Sequence, residues 1–288
     1  MYLLVGSPLD ACIAQVSHRL RLQGDAVLVT PEPLAGEGRV CWELSSERSA
    51  SRLELGGQRI AETEWRGVMV RGMGGPSQPA EWEQRDYAYM GAESQSALLA
   101  WLKSLPCPVV NPPQAEIFYR ERTLPEQRVW LHRAGFSTPP LLLTNRLAQA
   151  RAFARRWEGR LSYVPLTSAT RYPIDSPSQW AELERLMAHF PVLLMEPEAP
   201  SLYLSLAADV AVWSGDPPSG RARGRLERSA QRLARLLGVS MLQLELRMDE
   251  GSTQAVGFGL HPEFGWHPQA QQEALAEGIV RAMQGVRA

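Results

Sequence analysis

The stretch GFGLHPEFGW, residues 257–266, sets one imidazole (His261) and one carboxylate (Glu263) around Pro262, with Pro268 and a second imidazole, His267, close behind. Nitrogen and oxygen donors at this spacing are the raw material of a metal site. A plainer arrangement fits the same residues, with His261 bonded to a strand end and Glu263 facing water. A second candidate is RGMGGPS, residues 71–77, a glycine-rich loop after an apolar run whose backbone amides could hold a phosphate. Arg71 at its start suits a substrate carboxylate through bidentate hydrogen bonds, or a structural ion pair. A third stretch is RARGR, Arg221 to Arg225, which by itself reads as a solvated basic loop before a helix. Of thirty basic residues only Lys103 is a lysine, so chemistry that needs a lysine elsewhere is excluded. The chain has no GxSxG, HExxH or P-loop motif.

These residues need a scaffold, and 288 residues at 44% hydrophobic and 21% charged can bury a core of about two domains. A formal net charge of −1 gives no basic footprint for nucleic acid. The apolar start, MYLLVGSPLDACIA, lacks a basic lead and is broken by Gly6, Pro8 and Asp10, so neither a signal peptide nor a membrane span is expected. Cys12, Cys41 and Cys107 are isolated and odd in number, which fits a reducing compartment and points to the cytoplasm.

The element pattern opens as β-α-β: YLLV, a helically spaced run closing at Gly24, then AVLVT. From Val40 to Val70 residues alternate in twos around Gly56-Gly57, which predicts a hairpin and then a buried strand. One helix is predicted over 81–105, and CPVVNPP reads as a strand stopped by prolines, so a three-layer α/β unit ends near Asn111. The second half alternates helices and strands, with a hairpin at Glu250-Gly251 and a closing helix over about 268–284. The run SGDPPSGRARG, 214–224, reads as a mobile linker.

The order CPVVNPPQA, LPEQRVWLHRAGFSTPPLLLTN, ARRWEGRLSYVPLTS, FPVLLMEPEAP and LARLLGVSMLQLELRMDEGSTQAVGFGLHPEFGW resembles the ATP-grasp superfamily, whose members include glutathione synthetase and D-alanyl-D-alanine ligase. The resemblance implies an α/β and α+β fold. A pre-ATP-grasp domain would span 1–111 and an ATP-grasp domain 112–288, with subdomains of about 112–195 and 196–288. It also implies ATP and magnesium as cofactors, a carboxylate activated as its acyl phosphate, and an amine or thiol acceptor.

Carried over residue by residue, the resemblance puts one family lysine at Val164 and an earlier one near Arg120 or Arg122. Glu196 takes the place of the hinge carboxylate beside the adenine, and Glu245 that of the first metal-binding acid. The second metal-binding acid falls on Gly259 and the metal-binding asparagine on His261, and the resemblance implies a phosphate-facing arginine in RARGR, with Arg223 the candidate. Magnesium prefers oxygen ligands, so this exchange weakens it; zinc or manganese on Glu245, His261, Glu263 and His267 is the alternative. The expected function is a ligase relative with impaired or absent chemistry, its cleft kept as a binding or scaffold surface for a small-molecule or peptide carboxylate or for a partner ligase. The alternative is an active ATP-dependent carboxylate-amine ligase that uses arginines in place of lysines.

Overall fold

The computed structural model describes residues 1–31, 38–47, 49–71, 81–112, 122–168, 170–199, 201–249 and 252–285. β1 (Tyr2–Val5), α1 (Ala11–Leu22) and β2 (Val27–Thr30) form the expected β-α-β opening. Asp10 caps α1 by accepting from the Cys12 and Ile13 amides. β3 (Arg39–Leu44), β4 (Ser49–Leu55) and β5 (Gln58–Ala61) make a small antiparallel sheet, in which Gly56 and Gly57 both take positive φ, as a two-residue hairpin requires. β6 (Gly67–Val70), α2 (Gln84–Ser104) and β7 (Val109–Val110) complete a parallel sheet of order β2-β1-β6-β7.

All four residues of β1 are buried because both faces of this sheet are covered. Leu3, Val5 and Val68 pack against Leu98, Trp101 and Leu102 of α2 and Leu53 and Ile60 of the small sheet. Tyr2, Leu4 and Met69 face α1 on the other side.

Two antiparallel sheets follow. α3 (Leu124–Ala134) starts at a capping box in which the Thr123 amide donates to Glu126, and it stops at Gly135 with φ 91°. β8 (Leu141–Thr144), α4 (Leu147–Ala154), β9 (Leu161–Val164), β10 (Tyr172–Ile174), α5 (Pro177–Met187) and β11 (Val192–Met195) build a sheet of order β10-β9-β11-β8. β10 has no counterpart in the sequence reading. It is three residues long with a proline at its centre, a combination tolerated only at a sheet edge, where it sits.

β12 (Ser201–Ala207), β13 (Val210–Ser214), α6 (Gly220–Leu237), β14 (Met241–Asp249) and β15 (Ser252–Gly259) form the last sheet, of order β13-β12-β14-β15. β14 and β15 pair up to Asp249 and Ser252, as a hairpin there predicts, although Glu250 and Gly251 lie outside the described residues. The linker expected over 214–224 is shorter than predicted: helix α6 already begins at Gly220 and takes in Arg221, Arg223 and Arg225. The apolar spacing Leu226, Ala230, Leu233, Ala234, Leu237 seats this helix on Leu242, Leu244 and Leu246, so the arginines lengthen it on its solvent side.

The final helix, α7 (Gln269–Met283), unites the two ends of the chain. Its Leu275, Ala276, Ile279 and Val280 share one core with Leu4, Ile13 and Met69 and with Ala207, Val212 and Met241. The approach is close: a Cβ on Gly278 would collide with the Ala207 carbonyl, and one on Gly67 with the Met283 carbonyl. Among the described residues no helix is long and apolar enough to cross a membrane.

Gly278→Ala is expected to cost roughly 1–3 kcal/mol by overpacking and to lower the melting temperature by several degrees. Gly265→Ala, with no atom within 4 Å of its added Cβ, serves as the control in the same thermal melt.

Candidate functional site

Alternation along β14 sends Leu242, Leu244 and Leu246 to the α6 face and leaves Gln243, Glu245 and Arg247 on the other. β12 places Ser205, Tyr203 and Ser201 directly across from these three. A bulge between Glu245 and Leu246 inserts one extra residue into β15, so that Val256 and Gly257 both stay on the Glu245 side while Ala255 and Phe258 pack toward α6. The result is a polar sheet face turned toward the sheet that carries β8, β9 and β11.

The gap between the sheets is filled from both sides. Val164, Leu193 and Met195 meet Val256 in a small apolar cluster, joined by Leu124 and Leu141. Each such buried aliphatic contributes about 1.5–3 kcal/mol. Beside the cluster lie two ion pairs that cross the gap. Arg171, in the connection after β9, donates to both carboxylate oxygens of Glu245 at 2.7 and 2.8 Å, and Ser201 donates to the same group at 2.8 Å. Arg247 pairs with Glu196 at 2.5 Å, and both side chains are largely buried.

Arg128 on α3 sits among these charges. One of its nitrogens donates to the Pro139 carbonyl at 2.8 Å, and Nε and Nη2 are buried without a partner among the described residues. Burial pushes its pKa down to about 10, with Glu196 opposing that shift and Arg171 adding to it. The five groups, three guanidinium and two carboxylate, sum to one positive charge.

Next to the Arg171–Glu245 pair a cleft of about 260 Å³ opens, lined by Leu124, Gln127, Tyr203, Gln243, Phe258 and Trp266, with Gly257 and Gly259 as its floor. The Tyr203 and Trp266 rings meet at 4.4 Å between centroids, tilted 46° to each other, and Trp266 is 50% exposed. Burial and the Glu245 charge raise the Tyr203 pKa. Gln127 accepts from the Phe258 amide at 2.8 Å, and Ser137 accepts from the Ala255 amide, so the outer edge of β15 is already capped.

No family model matches the sequence, and no curated protein does. Solved structures do. The macrocyclase MdnC from Microcystis aeruginosa MRC, bound with precursor peptide MdnA, aligns at TM-score 0.77 and 16% identity over 97% of this chain and 99% of that one. A Chryseobacterium gregarium RiPP-associated ATP-grasp ligase, in complex with ADP and a leader and core peptide, aligns at 0.76 and 13% over 97% and 96%. The ATP-grasp ligase PsnB, complexed with a minimal precursor, aligns at 0.74 and 20% over 98% of each chain. The chain has the ATP-grasp fold.

Within that fold the sequence-matched positions have definite places. Val164, Glu196 and Glu245 lie along the gap between the antiparallel sheets, Val164 fully buried and the two carboxylates paired with arginines. His261 is not with them. It keeps solvent contact on the side of the parallel sheet, where desolvation first and the Arg71 cation second lower its pKa, with Asp10 opposing. Arg71 donates to Asp10 at 3.1 Å and approaches Glu263 at 3.7 Å, so it is engaged in ion pairs at the start of α1. Arg223 lies on α6, against the opposite face of the last sheet from Glu245, where it bonds Glu227 at 2.8 Å.

Arg122 stands over the Trp130 ring at 5.9 Å. Arg120 and the glycine-rich residues 72–77 lie outside the described residues. The zinc or manganese set is not assembled. His267 is buried against Ser205 at 2.9 Å and Gln271 at 3.1 Å, and among the described residues no three of His, Cys, Asp and Glu are grouped to hold a metal.

Sequence reasoning missed Arg128, Arg171, Tyr203 and Trp266. Alternation in β12 and β14 could have put Tyr203 beside Glu245, since both strands are long and regular. Arg171 follows a connecting segment that carries no pattern.

Two outcomes test this geometry. Arg171→Met should leave Glu245 shielded and uncompensated, so the single variant should melt lower than the double variant Arg171→Met/Glu245→Met, as a double-mutant cycle by thermal melt would show. Burial lowers the folded-state pKa of His267 below 6.5. Its contribution is therefore complete above pH 6.5 and lost as pH falls, and His267→Gln should flatten the melting-temperature profile on the acid side of pH 6.5.

Proposed function

We propose that this chain is a peptide-binding protein on the ATP-grasp fold, in which nucleotide-dependent ligation is impaired or absent and the cleft serves recognition or scaffolding. The observation that carries this reading is the pairing of Glu245 with Arg171. A metal-binding carboxylate must offer its oxygens to the cation, and here both accept from one guanidinium while Ser201 takes a further share. The other matched positions point the same way. Val164 supplies a methyl surface where an ammonium would neutralise phosphate, and Gly259 supplies no carboxylate. The donor set therefore does not fit a resident magnesium-nucleotide.

The fold neighbours that hold precursor or leader peptides support a peptide as the ligand class. In this reading residues 1–111 form the pre-ATP-grasp domain and 112–288 the two-part ATP-grasp domain, acting in the cytoplasm. A second reading, an active ligase with arginines for lysines, is favoured by one feature: two nitrogens of Arg128 without a partner among the described residues, in a cluster of five described charges with one surplus positive.

Magnesium-ATP separates the two. A micromolar site would stabilise the fold by about 4 kcal/mol at millimolar ligand, a melting shift on the order of 10 °C. The peptide-binding reading expects a shift of about 1 °C or less and no ADP release with or without peptide. A large shift, or ADP release on adding a carboxylate-bearing peptide, would establish the ligase instead.

A further inference from the structure

We infer that the cleft walled by Tyr203, Trp266 and Leu124 receives an aromatic side chain carried on an uncharged stretch of peptide. This rests on the reading of the cleft as a peptide-binding surface and specifies what it selects. Size is the first argument. At about 260 Å³ the cleft lies below the roughly 300–1,000 Å³ of sites that enclose a drug-sized ligand, so it takes one large side chain and its flanking amides rather than a nucleotide.

Charge is the second. Among the described residues Arg171 and Glu245 are the charged groups that line it, and they are held to each other at 2.7 Å. A charged residue entering here would be desolvated and would have to compete with that pair for its counter-ion.

Shape and chemistry supply the rest. Trp266, half exposed and tilted 46° against Tyr203, offers ring surface at the mouth of the cleft, the arrangement into which a third ring packs edge to face. Gln127 beside it is engaged within the fold, donating to the Arg122 carbonyl and accepting from the Phe258 amide, and Gln243 donates to Ser205, so ring surface is the main contact that the cleft offers. The two floor glycines differ in their reason for being glycine. A Cβ at Gly257 would press on Gln127 at 3.0 Å, so that position is fixed by packing. At Gly259 no atom lies within 4 Å of an added Cβ and the backbone is unstrained, so the missing side chain serves only to keep the cleft open.

That difference supplies the test. In the full-length protein with 15N-labelled tryptophan, the Trp266 indole signal is assigned by its loss in Trp266→Phe. It is then followed during titration with N-acetyl-phenylalanine, N-acetyl-alanine and N-acetyl-glutamate methylamides. The phenylalanine probe should shift the signal saturably, with half-saturation at least about tenfold below the other two. Gly259→Leu should melt like the parent and abolish the response.

An unmoved signal, equal responses to all three probes, a preference for the glutamate probe, or a folded Gly259→Leu that still responds would overturn the inference. Magnesium-ATP titrated separately keeps the two failures apart. Tight nucleotide binding with intact aromatic selectivity removes only the non-ligase reading, and absence of both responses removes only the aromatic selectivity.

Discussion

One buried carboxamide ties the parallel sheet to the last antiparallel sheet. Asn111 ends β7 in a left-handed conformation, φ 49°, which asparagine tolerates better than other side chains. Its Nδ2 donates to the Met241 and Leu260 carbonyls at 2.8 Å each, and its Oδ1 accepts from the Ser240 and Met241 amides at 2.9 and 3.0 Å. Both ends of the β14–β15 hairpin are thus fixed against the end of β7 by one saturated group. Because β14 carries Glu245 and β15 carries Gly257 and Gly259, the place of the candidate cleft relative to the parallel sheet follows from these four bonds. The close seating of α7 at Gly67 and Gly278 holds the same junction from behind.

Electrostatics then decide what the cleft can hold. The ATP-grasp scaffold brings two sheets face to face, and the facing groups must either receive charge from a ligand or cancel it internally. In this chain Arg171 and Arg247 cross the gap to Glu245 and Glu196, and an apolar cluster around Val164 and Val256 closes the space between them. Internal pairing of this kind makes the gap self-sufficient, since a paired buried carboxylate gains little from a second cation and an unpaired one is costly. Among the described residues of the gap Arg128 departs from this pattern, a buried guanidinium with two nitrogens unmatched.

The sequence alone determined the element order, because periodicity, caps and glycine stops are local. The Gly24 stop, the Gly56-Gly57 hairpin and the buried β6 strand were all legible in short windows. The family resemblance drew on that order and located Glu196, Glu245 and Val164 along the strands that face the gap. The early start of α6 at Gly220 and the proline-centred β10 were not legible. Each depends on what it packs against: α6 on the leucines of β14, β10 on an edge that only the assembled sheet defines.

Tertiary structure decided which charges meet. Arg171 and Glu245 are 74 positions apart and their contact spans two sheets, so no spacing rule could pair them. It also separated His261 from Glu245, although both belong to one short hairpin region, because the strand end turns toward Arg71 and Asp10. Local sequence fixes a backbone's pleat and period. Which side chains share a gap depends on how distant segments are docked, and in this chain that docking rests on Asn111 and α7.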